Sequence, residues 1–351
     1  RRNKEGNTGI QKEIFRDAQM NLNECISDFI KKNFGLTLVL TTLAIYLILK
    51  GFLVGKQYGW VDIFFGAVIL IEIASTVFLE IKEGAEKHGW KHEIIDTVLA
   101  LAIGLAIWIT AQFLLNTSTP ISGVVSCSML NDLQRGDFVI VQGGDIKAPE
   151  VELTESEYRA MLGGPFHVSS GETNTTVNFP FHTYCTCHPT DSRCVAFYNT
   201  DTEFVESVGP AIYHYKWCTV NHTRERISRK IRCLDYVEIK GKRFAMADKN
   251  NDVIVYTPRQ TDLYARVGDI VHRTVARLRV GNNTYYLTGG DNNPVLDAQV
   301  YECSTGIGNQ PVPASNIKGK VIARIPYLGY LKLFIAGYWK EDQQCSWTLE
   351  R

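Results

Sequence analysis

The sequence has no charge imbalance, because its 37 Lys and Arg residues are matched by 37 Asp and Glu residues across 351 positions. A protein that binds a polyanion usually carries an excess of basic residues on one surface, so this balance argues against a nucleic-acid partner. The sequence also has no internal repeat and no low-complexity segment. We therefore predict neither nucleic-acid binding nor a repeat architecture.

Three long apolar segments lack the polar stripe of a surface helix. They cover residues 36–55, 60–80 and 94–115, and each is about long enough to cross roughly 30 Å of hydrocarbon as a helix. Three helices buried in a soluble core are the alternative, but nearly unbroken apolar runs favour a lipid environment. We predict three transmembrane helices within residues 36–115, which makes the lipid bilayer one partner of the protein.

Basic residues beside these segments predict their orientation. The loop between the first and second segments offers only Lys56, whereas basic residues are concentrated before the first segment and between the second and third: Arg1, Arg2, Lys4, Lys12, Arg16, Lys31, Lys32, Lys82, Lys87 and Lys91. The positive-inside rule then places the amino terminus in the cytoplasm and everything after about residue 116 outside it. An integral, multi-pass membrane protein with an extracytoplasmic or lumenal domain is expected.

Residues 10–33 carry apolar side chains at helical spacing, with Lys and Arg between them. This pattern predicts that residues 1–35 form an amphipathic segment at the cytoplasmic face of the membrane. An ordinary amphipathic helix of a soluble domain fits the same pattern.

Cysteines support an external location for the later part of the chain. Seven of the nine lie between residues 185 and 345, where disulfides would persist outside the cytoplasm, and four glycosylation sequons begin at Asn116, Asn174, Asn221 and Asn282. Because seven is odd, one thiol is expected to stay free or to pair elsewhere. Zinc is the alternative, but the spacing of the candidate ligands matches no standard zinc site, so neither metal nor another cofactor is expected; the ligands would be Cys185, Cys187, His188, Cys194, His214 and Cys218.

Short β-branched segments bounded by turn residues predict a mainly β domain after the third span. They fall in two blocks, residues 116–141 and 251–335, which we predict to form one β core. Residues 142–250 carry most of the cysteines and are predicted to form an inserted subdomain, followed at the end by a tail over residues 336–351. The predicted strands are residues 137–141, 252–256, 269–275, 283–287 and 319–325.

Ser128 offers a hydroxyl nucleophile shortly after the third apolar segment. An aliphatic hydroxyl is a weak nucleophile until a neighbouring base takes its proton, so Ser128 needs a partner brought close by the fold. His272 is the leading candidate, because it lies on a predicted strand shortly before a Gly-Asp-Asn-Asn turn at residues 290–293. This pair predicts a hydrolytic centre at the membrane face.

Several separated sequence blocks resemble the successive boxes of type I signal peptidases. Their order and spacing are similar to those of the archaeal and endoplasmic reticulum type, and they leave the insert and the first two spans outside the resemblance. The blocks are residues 124–129, 133–141, 271–273, 288–294 and 319–329.

The resemblance implies a membrane-anchored, mainly β fold, in which transmembrane helices precede a signal-peptidase-like β catalytic domain with a large insert. It implies that Ser128 is the nucleophile and that His272 is the general base, where bacterial relatives use Lys. Asp297 matches the family's acid, and Asp291 is the competing choice. Ser126 resembles the position whose hydroxyl helps to stabilise the oxyanion.

The resemblance is weakest next to the nucleophile. The family usually has Gly where Cys127 stands, and Glu-Pro where Leu130 and Asn131 follow Met129. A side chain at Cys127 would crowd the turn if the backbone there needed a positive φ. We expect Cys127 to be a small buried structural thiol, with its use as a nucleophile as the alternative.

These features predict a membrane-bound serine endopeptidase that cleaves signal peptides from exported preproteins by acyl transfer. Signal-peptide-bearing preproteins would be its substrates, and other subunits of a processing complex would be further partners, docked on the insert. The alternative is a non-catalytic membrane-anchored ectodomain that binds a protein partner. That alternative predicts that Ser128 and His272 lie far beyond hydrogen-bond reach of one another.

Overall fold

The computed structural model describes residues 34–52, 59–171, 173–223, 225–336, 338 and 343–351. The chain divides into two compact units between residues 104 and 105. The amphipathic pattern of residues 10–33 lies outside the described residues.

Helices occupy all three apolar segments. They are α1 (Phe34–Phe52), α2 (Gly59–His88) and α3 (Trp90–Leu114). Residues 64–88 and 90–114 are long and apolar enough to cross a membrane, with mean hydropathies of 2.1 and 2.2, and almost none of either stretch is buried. A core helix of a soluble protein would be mostly buried, so these two helices fit a lipid environment better. The apolar part of α1 is shorter, and the three-span topology stays a prediction.

Mainly antiparallel strands follow the helices, as the sequence predicted. The described residues contain fifteen strands: β1 (Ile121–Gly123), β2 (Phe138–Gln142), β3 (Glu150–Leu153), β4 (Phe166–Ser170), β5 (Thr173–Val177), β6 (Phe204–Val208), β7 (Ala211–His222), β8 (Ser228–Ile239), β9 (Lys242–Ala245), β10 (Val253–Tyr256), β11 (Ile270–Val280), β12 (Asn283–Gly289), β13 (Val312–Pro313), β14 (Ile317–Ile325) and β15 (Trp347–Glu350). Four short helices complete the fold: α4 (Glu155–Gly163), α5 (Phe181–Cys187), α6 (Ser192–Asn199) and α7 (Tyr330–Ile335).

The first sheet contains every predicted strand. Its order is β1-β2-β14-β10-β11-β12-β13, and β3 joins β11 as a parallel partner. Val139, Val141 and Val255 are fully buried in the cluster that this sheet covers. Because side chains alternate between the two faces of a strand, Val139 and Val141 point inward while their neighbours on β2 are less buried. A membrane-anchored, mainly β fold is therefore confirmed.

In the second sheet, the path β5-β4-β6-β7-β8-β9 lies within the predicted insert. Its strands begin at residue 166 and end at residue 245, whereas β3, also in the predicted insert, belongs to the first sheet. The carboxy-terminal strand β15 pairs with β7, so the end of the chain joins the insert.

The eight cysteines after residue 116 form four disulfides. They are Cys127–Cys345, Cys185–Cys194, Cys187–Cys303 and Cys218–Cys233. The expectation of a free thiol at Cys127 is wrong, because Cys127 forms a disulfide with Cys345. Cys127 is thus the eighth cysteine, which gives each of the seven cysteines between residues 185 and 345 a partner. The same four bridges leave the cysteines of the proposed zinc set without thiolates, which argues against that alternative.

A buried carboxyl group lies at the centre of the insert. Glu206 has no exposed surface; its carboxyl oxygens accept hydrogen bonds from the Phe181 backbone N–H and from the Tyr215 hydroxyl. Burial raises the pKa of Glu206 to about 7, although both hydrogen bonds oppose that shift. Gln299 donates to the same Tyr215 hydroxyl, which connects the insert to the turn that follows β12.

We expect Glu206→Gln to flatten the pH dependence of stability. The folded protein holds its Glu206 proton up to about pH 7, whereas an unfolded chain releases it near the ordinary value of 4.5, so wild-type stability should fall as pH rises between these values. The loss would reach about 3 kcal/mol at most. Thermal unfolding of the detergent-solubilised protein across this range measures it. The exposed Glu152→Gln variant should keep the wild-type slope, and parallel slopes for Glu206→Gln and wild type would contradict the assignment.

Candidate active site

Ser128 lies in a turn within the fourteen-residue connection, residues 124–137, between β1 and β2. The Val124 backbone N–H donates to Asp137 O, and the Gly136 N–H donates back to Val124 O, each at 2.9 Å, which closes the base of the turn. Asn131 has a φ of 80°, a left-handed conformation that Asn tolerates better than most side chains do. Asn131, which stands where the family usually has Pro, is therefore compatible with the left-handed backbone at this position. Cys127 is not among the residues with positive φ, so its side chain meets no such strain.

His272 lies on β11 in the middle of the first sheet, opposite Ile254 of β10. Its Nε2 atom is 2.8 Å from the Ser128 hydroxyl oxygen. Both side chains are buried, with 4% and 8% of each residue exposed. The structure therefore brings these two predicted residues into hydrogen-bonding distance across 144 residues of sequence.

Asp297 contacts the other side of the imidazole. It begins a short 3₁₀ turn after β12, and its Oδ2 atom is 2.7 Å from His272 Nδ1. The same oxygen accepts hydrogen bonds from the Thr288 hydroxyl at 2.6 Å and from the Tyr256 hydroxyl at 3.0 Å. Sequence reasoning missed Thr288 and Tyr256 as partners of this carboxylate, because each lies on a strand without any local signal of that contact.

Asp291 lies elsewhere. Its carboxylate accepts hydrogen bonds from the Arg273 guanidinium and, at 2.8 Å, from Lys249, while both nitrogens of the His272 ring lie against Ser128 and Asp297. Burial alone would raise the pKa of Asp291, but the hydrogen bonds from Arg273 and Lys249 lower it below its ordinary value. Asp291 is thus held as a carboxylate in an ion pair, and the structure does not bring it to the imidazole.

Ser126 lies beside the nucleophile candidate, with its hydroxyl oxygen 3.0 Å from that of Ser128. Within the described part of the chain, the Ser128 backbone N–H has no protein acceptor. An N–H group and a hydroxyl on the same side of a reactive carbonyl can stabilise a developing oxyanion.

The turn at residues 290–293 packs directly on the Ser128 backbone. A Cβ atom at Gly290 would lie 2.5 Å from the Ser128 carbonyl oxygen, so this close approach requires glycine. The Asn292 backbone N–H donates to the same oxygen at 2.8 Å. These contacts explain why a Gly-Asp-Asn-Asn motif is needed so far along the chain from the serine.

A cavity of about 490 Å³ opens onto Ser128 and His272. One wall is apolar and includes Val271 of the first sheet, whereas another wall comes from α5 of the insert and includes Thr183 and His182. Burial lowers the pKa of His182 to about 4, so this imidazole is neutral at neutral pH. The contribution of α5 was not expected, because no sequence pattern indicated that the insert reaches the site.

The described residues contain no cluster of three or more His, Cys, Asp or Glu side chains arranged to hold a metal ion. The residues around Ser128 instead offer a hydroxyl, an imidazole and a carboxylate in a line. In other proteins this arrangement activates a serine for acyl transfer.

No family model matches the chain. It is 32% identical over 85 residues to the signal peptidase complex catalytic subunit of Verticillium alfalfae, a match that covers 24% of this chain and 44% of that protein. It is 30% identical over 88 residues to the corresponding subunit of Sclerotinia sclerotiorum, covering 25% and 46%. An uncharacterised protein of Methanocaldococcus jannaschii is 32% identical over 76 residues, covering 20% and 32%.

The chain spans less than half the length of these curated relatives. The similarities nevertheless relate it to signal peptidase catalytic subunits at the level of the family.

Proposed function

We propose that this protein is a membrane-bound serine endopeptidase that removes signal peptides from exported preproteins. The observation that carries the proposal is the line of hydrogen-bonded atoms from Ser128 Oγ through the His272 ring to Asp297 Oδ2. The similarity to signal peptidase catalytic subunits supports the choice of substrate class.

The mechanism starts at the imidazole. Asp297 accepts a hydrogen bond from the Nδ1–H group of His272, which leaves Nε2 unprotonated and able to take the Ser128 hydroxyl proton. Ser128 Oγ then attacks the carbonyl carbon of the scissile peptide bond. His272, now protonated and stabilised by Asp297, donates its proton to the leaving amine. The mature chain leaves with its new amino terminus at this step, and the signal segment remains as the acyl group on Ser128.

Water completes the reaction. His272 takes a proton from a water molecule, which attacks the acyl ester and releases the carboxylic acid product while Ser128 regains its proton. The oxyanion formed in each half-reaction would lie against the Ser128 N–H and the Ser126 hydroxyl. In serine proteases one such donor is worth about 3 kcal/mol of transition-state stabilisation.

Membrane anchoring would restrict the search for substrate to two dimensions. The helices at residues 64–88 and 90–114 can serve as anchors, and α3 ends only seven residues before β1. Four disulfides favour an oxidising compartment for the β domain, which agrees with the orientation that the basic residues predict. We propose an extracytoplasmic or lumenal catalytic domain that acts with or without further subunits of a processing complex.

A non-catalytic ectodomain would not need this geometry. The hypothesis of such an ectodomain predicts a wide separation of Ser128 and His272. The Ser128 hydroxyl oxygen and His272 Nε2 are instead 2.8 Å apart, and both residues are buried beside an open cavity. Nothing in the described residues favours that alternative.

We expect the purified full-length protein, in detergent or liposomes, to cut a preprotein reporter once, after a small residue at the end of its signal segment. Mass spectrometry of both products locates the cut. A reporter with a bulky residue at that position should be cut more slowly, since that side chain must fit into the cavity beside Ser128, whose lining includes Val271 and Thr183. Absence of cleavage in several reporters, or cleavage at unrelated sites, would contradict the proposal.

A further inference from the structure

The residue before Ser128 is bonded covalently to the end of the chain. Cys127 forms a disulfide with Cys345, 218 residues away in sequence, and it is 2% exposed. The family that this chain resembles usually has Gly at this position, so the nucleophile turn has gained an attachment that the sequence pattern does not predict. The following residues, 347–350, form β15.

Asn292 connects the same two segments by hydrogen bonds. Its side-chain Nδ2 donates to Cys127 O and to Trp347 O, each at 3.0 Å, and its Oδ1 accepts from the Leu349 N–H at 2.7 Å. Its backbone N–H donates to Ser128 O. One buried side chain therefore holds both the nucleophile turn and β15.

The carboxy-terminal strand is itself firmly held. β15 pairs with β7 from Trp347 opposite His222 to Glu350 opposite Thr219. The Arg351 guanidinium donates to Leu234 O and to Asn293 O, so the last residue also ties the 290–293 turn to the insert. A strand held in this way can fix the position of the nucleophile turn that is bonded to the same segment.

The peptide unit between Cys127 and Ser128 links this support to the chemistry. A trans peptide is planar and directs its C=O and N–H in opposite directions, and the described residues contain no cis peptide. Because Asn292 binds the Cys127 carbonyl, it directs the Ser128 N–H of the same unit away from itself. This is the N–H that would stabilise the oxyanion.

We propose that the Cys127–Cys345 disulfide, Asn292 and β15 form a carboxy-terminal latch that positions the Ser128 N–H and hydroxyl for catalysis. The inference rests on the proposed function and deepens it, since it assigns a positioning role to three elements outside the Ser128, His272 and Asp297 line. Without the latch, the turn would still carry Ser128, but its peptide plane could rotate. The loss should then appear in the chemical step more than in substrate binding.

The test compares two bridge-free variants of the full-length protein. Cys127→Ala/Cys345→Ala opens the latch, and Cys185→Ala/Cys194→Ala opens a disulfide between α5 and α6 as a matched control, because those cysteines lie in a different apolar cluster from β15. With a preprotein reporter, we expect opening the latch to lower kcat roughly 10- to 100-fold with KM within about twofold, because misplacement of reacting groups acts on the chemical step. The control should keep kcat near the wild-type value.

Wild-type kcat in the folded latch-free protein, or an equal loss in the control, would overturn the proposal. Should the latch-free protein not fold, Asn292→Asp removes the donor to Cys127 O while leaving the disulfide intact, and an unchanged kcat in that variant would also overturn it. Should wild type and Ser128→Ala be equally inactive, the proposed function fails by itself. Amide hydrogen exchange at residues 126–129 then decides, with faster exchange in the latch-free protein than in the control supporting the latch and equal exchange refuting it.

Discussion

Ser128→Ala should abolish processing of a preprotein reporter. The variant keeps the fold, because it removes only the hydroxyl oxygen that lies 2.8 Å from His272 Nε2 and 3.0 Å from the Ser126 hydroxyl. Without this oxygen no acyl intermediate can form. In serine proteases the comparable change lowers kcat by roughly 10⁶-fold, which lies below the background of a gel-based processing assay.

The measurement is reporter cleavage by purified protein in liposomes, with thermal unfolding as a check on folding. Ser192→Ala is the matched control, because Ser192 is exposed on α6 and belongs to no glycosylation sequon. It should process the reporter at the wild-type rate. Residual cleavage by Ser128→Ala within about a hundredfold of the wild-type rate would show that another group is the nucleophile. The oxyanion donors and substrate binding by themselves give a rate far below this level.

The second prediction separates the two carboxylates by opposite effects. Asp297→Asn should lower kcat by about 10⁴-fold with little loss of stability, because an amide opposite His272 Nδ1 favours the wrong tautomer and no longer stabilises the protonated ring. Asp291→Asn should leave kcat of the folded protein near wild type. It should instead destabilise the fold by roughly 1–3 kcal/mol, since the buried Arg273 guanidinium keeps Asp132 but loses its charged contact with Asp291.

Reporter kinetics and thermal unfolding on both variants test this prediction together. Each variant is the control for the other, because both exchange one carboxylate oxygen for an amide nitrogen within seven residues of sequence. A large kcat loss in Asp291→Asn with full activity in Asp297→Asn would assign the acid to Asp291 and contradict the geometry. Near wild-type kcat in both variants would show that neither carboxylate acts on the imidazole.

Much of the first sheet could be predicted because its strands carry local signals. Residues 269–275 are β-branched and bounded by Gly and Asn, and they form the start of β11. Which strands pair with one another is harder to predict from the sequence. The pairing of β3 with β11 and of β15 with β7 joins segments more than a hundred residues apart, and no periodicity encodes which distant strand lies alongside.

The nucleophile turn shows the same limit at a single residue. Cys127 as a small buried thiol was a reasonable expectation from residue type, and the residue is indeed buried. Its disulfide to Cys345 depends on the return of the carboxy-terminal segment to the 290–293 turn, which has no signal in the sequence near either cysteine.

The sequence by itself determined the apolar helices, five of the eight strands of the first sheet and the residue types available for chemistry, because hydrophobic periodicity and turn residues act over a few positions. Only the tertiary structure decided that Asp297 and not Asp291 contacts His272. It also decided that the insert lines the cavity at Ser128 and that Asn292 links β15 to the nucleophile turn. Both carboxylates follow the same strand, so their sequence positions are nearly equivalent. The choice between them depends on which one the packing directs to the imidazole and which one it directs to Arg273.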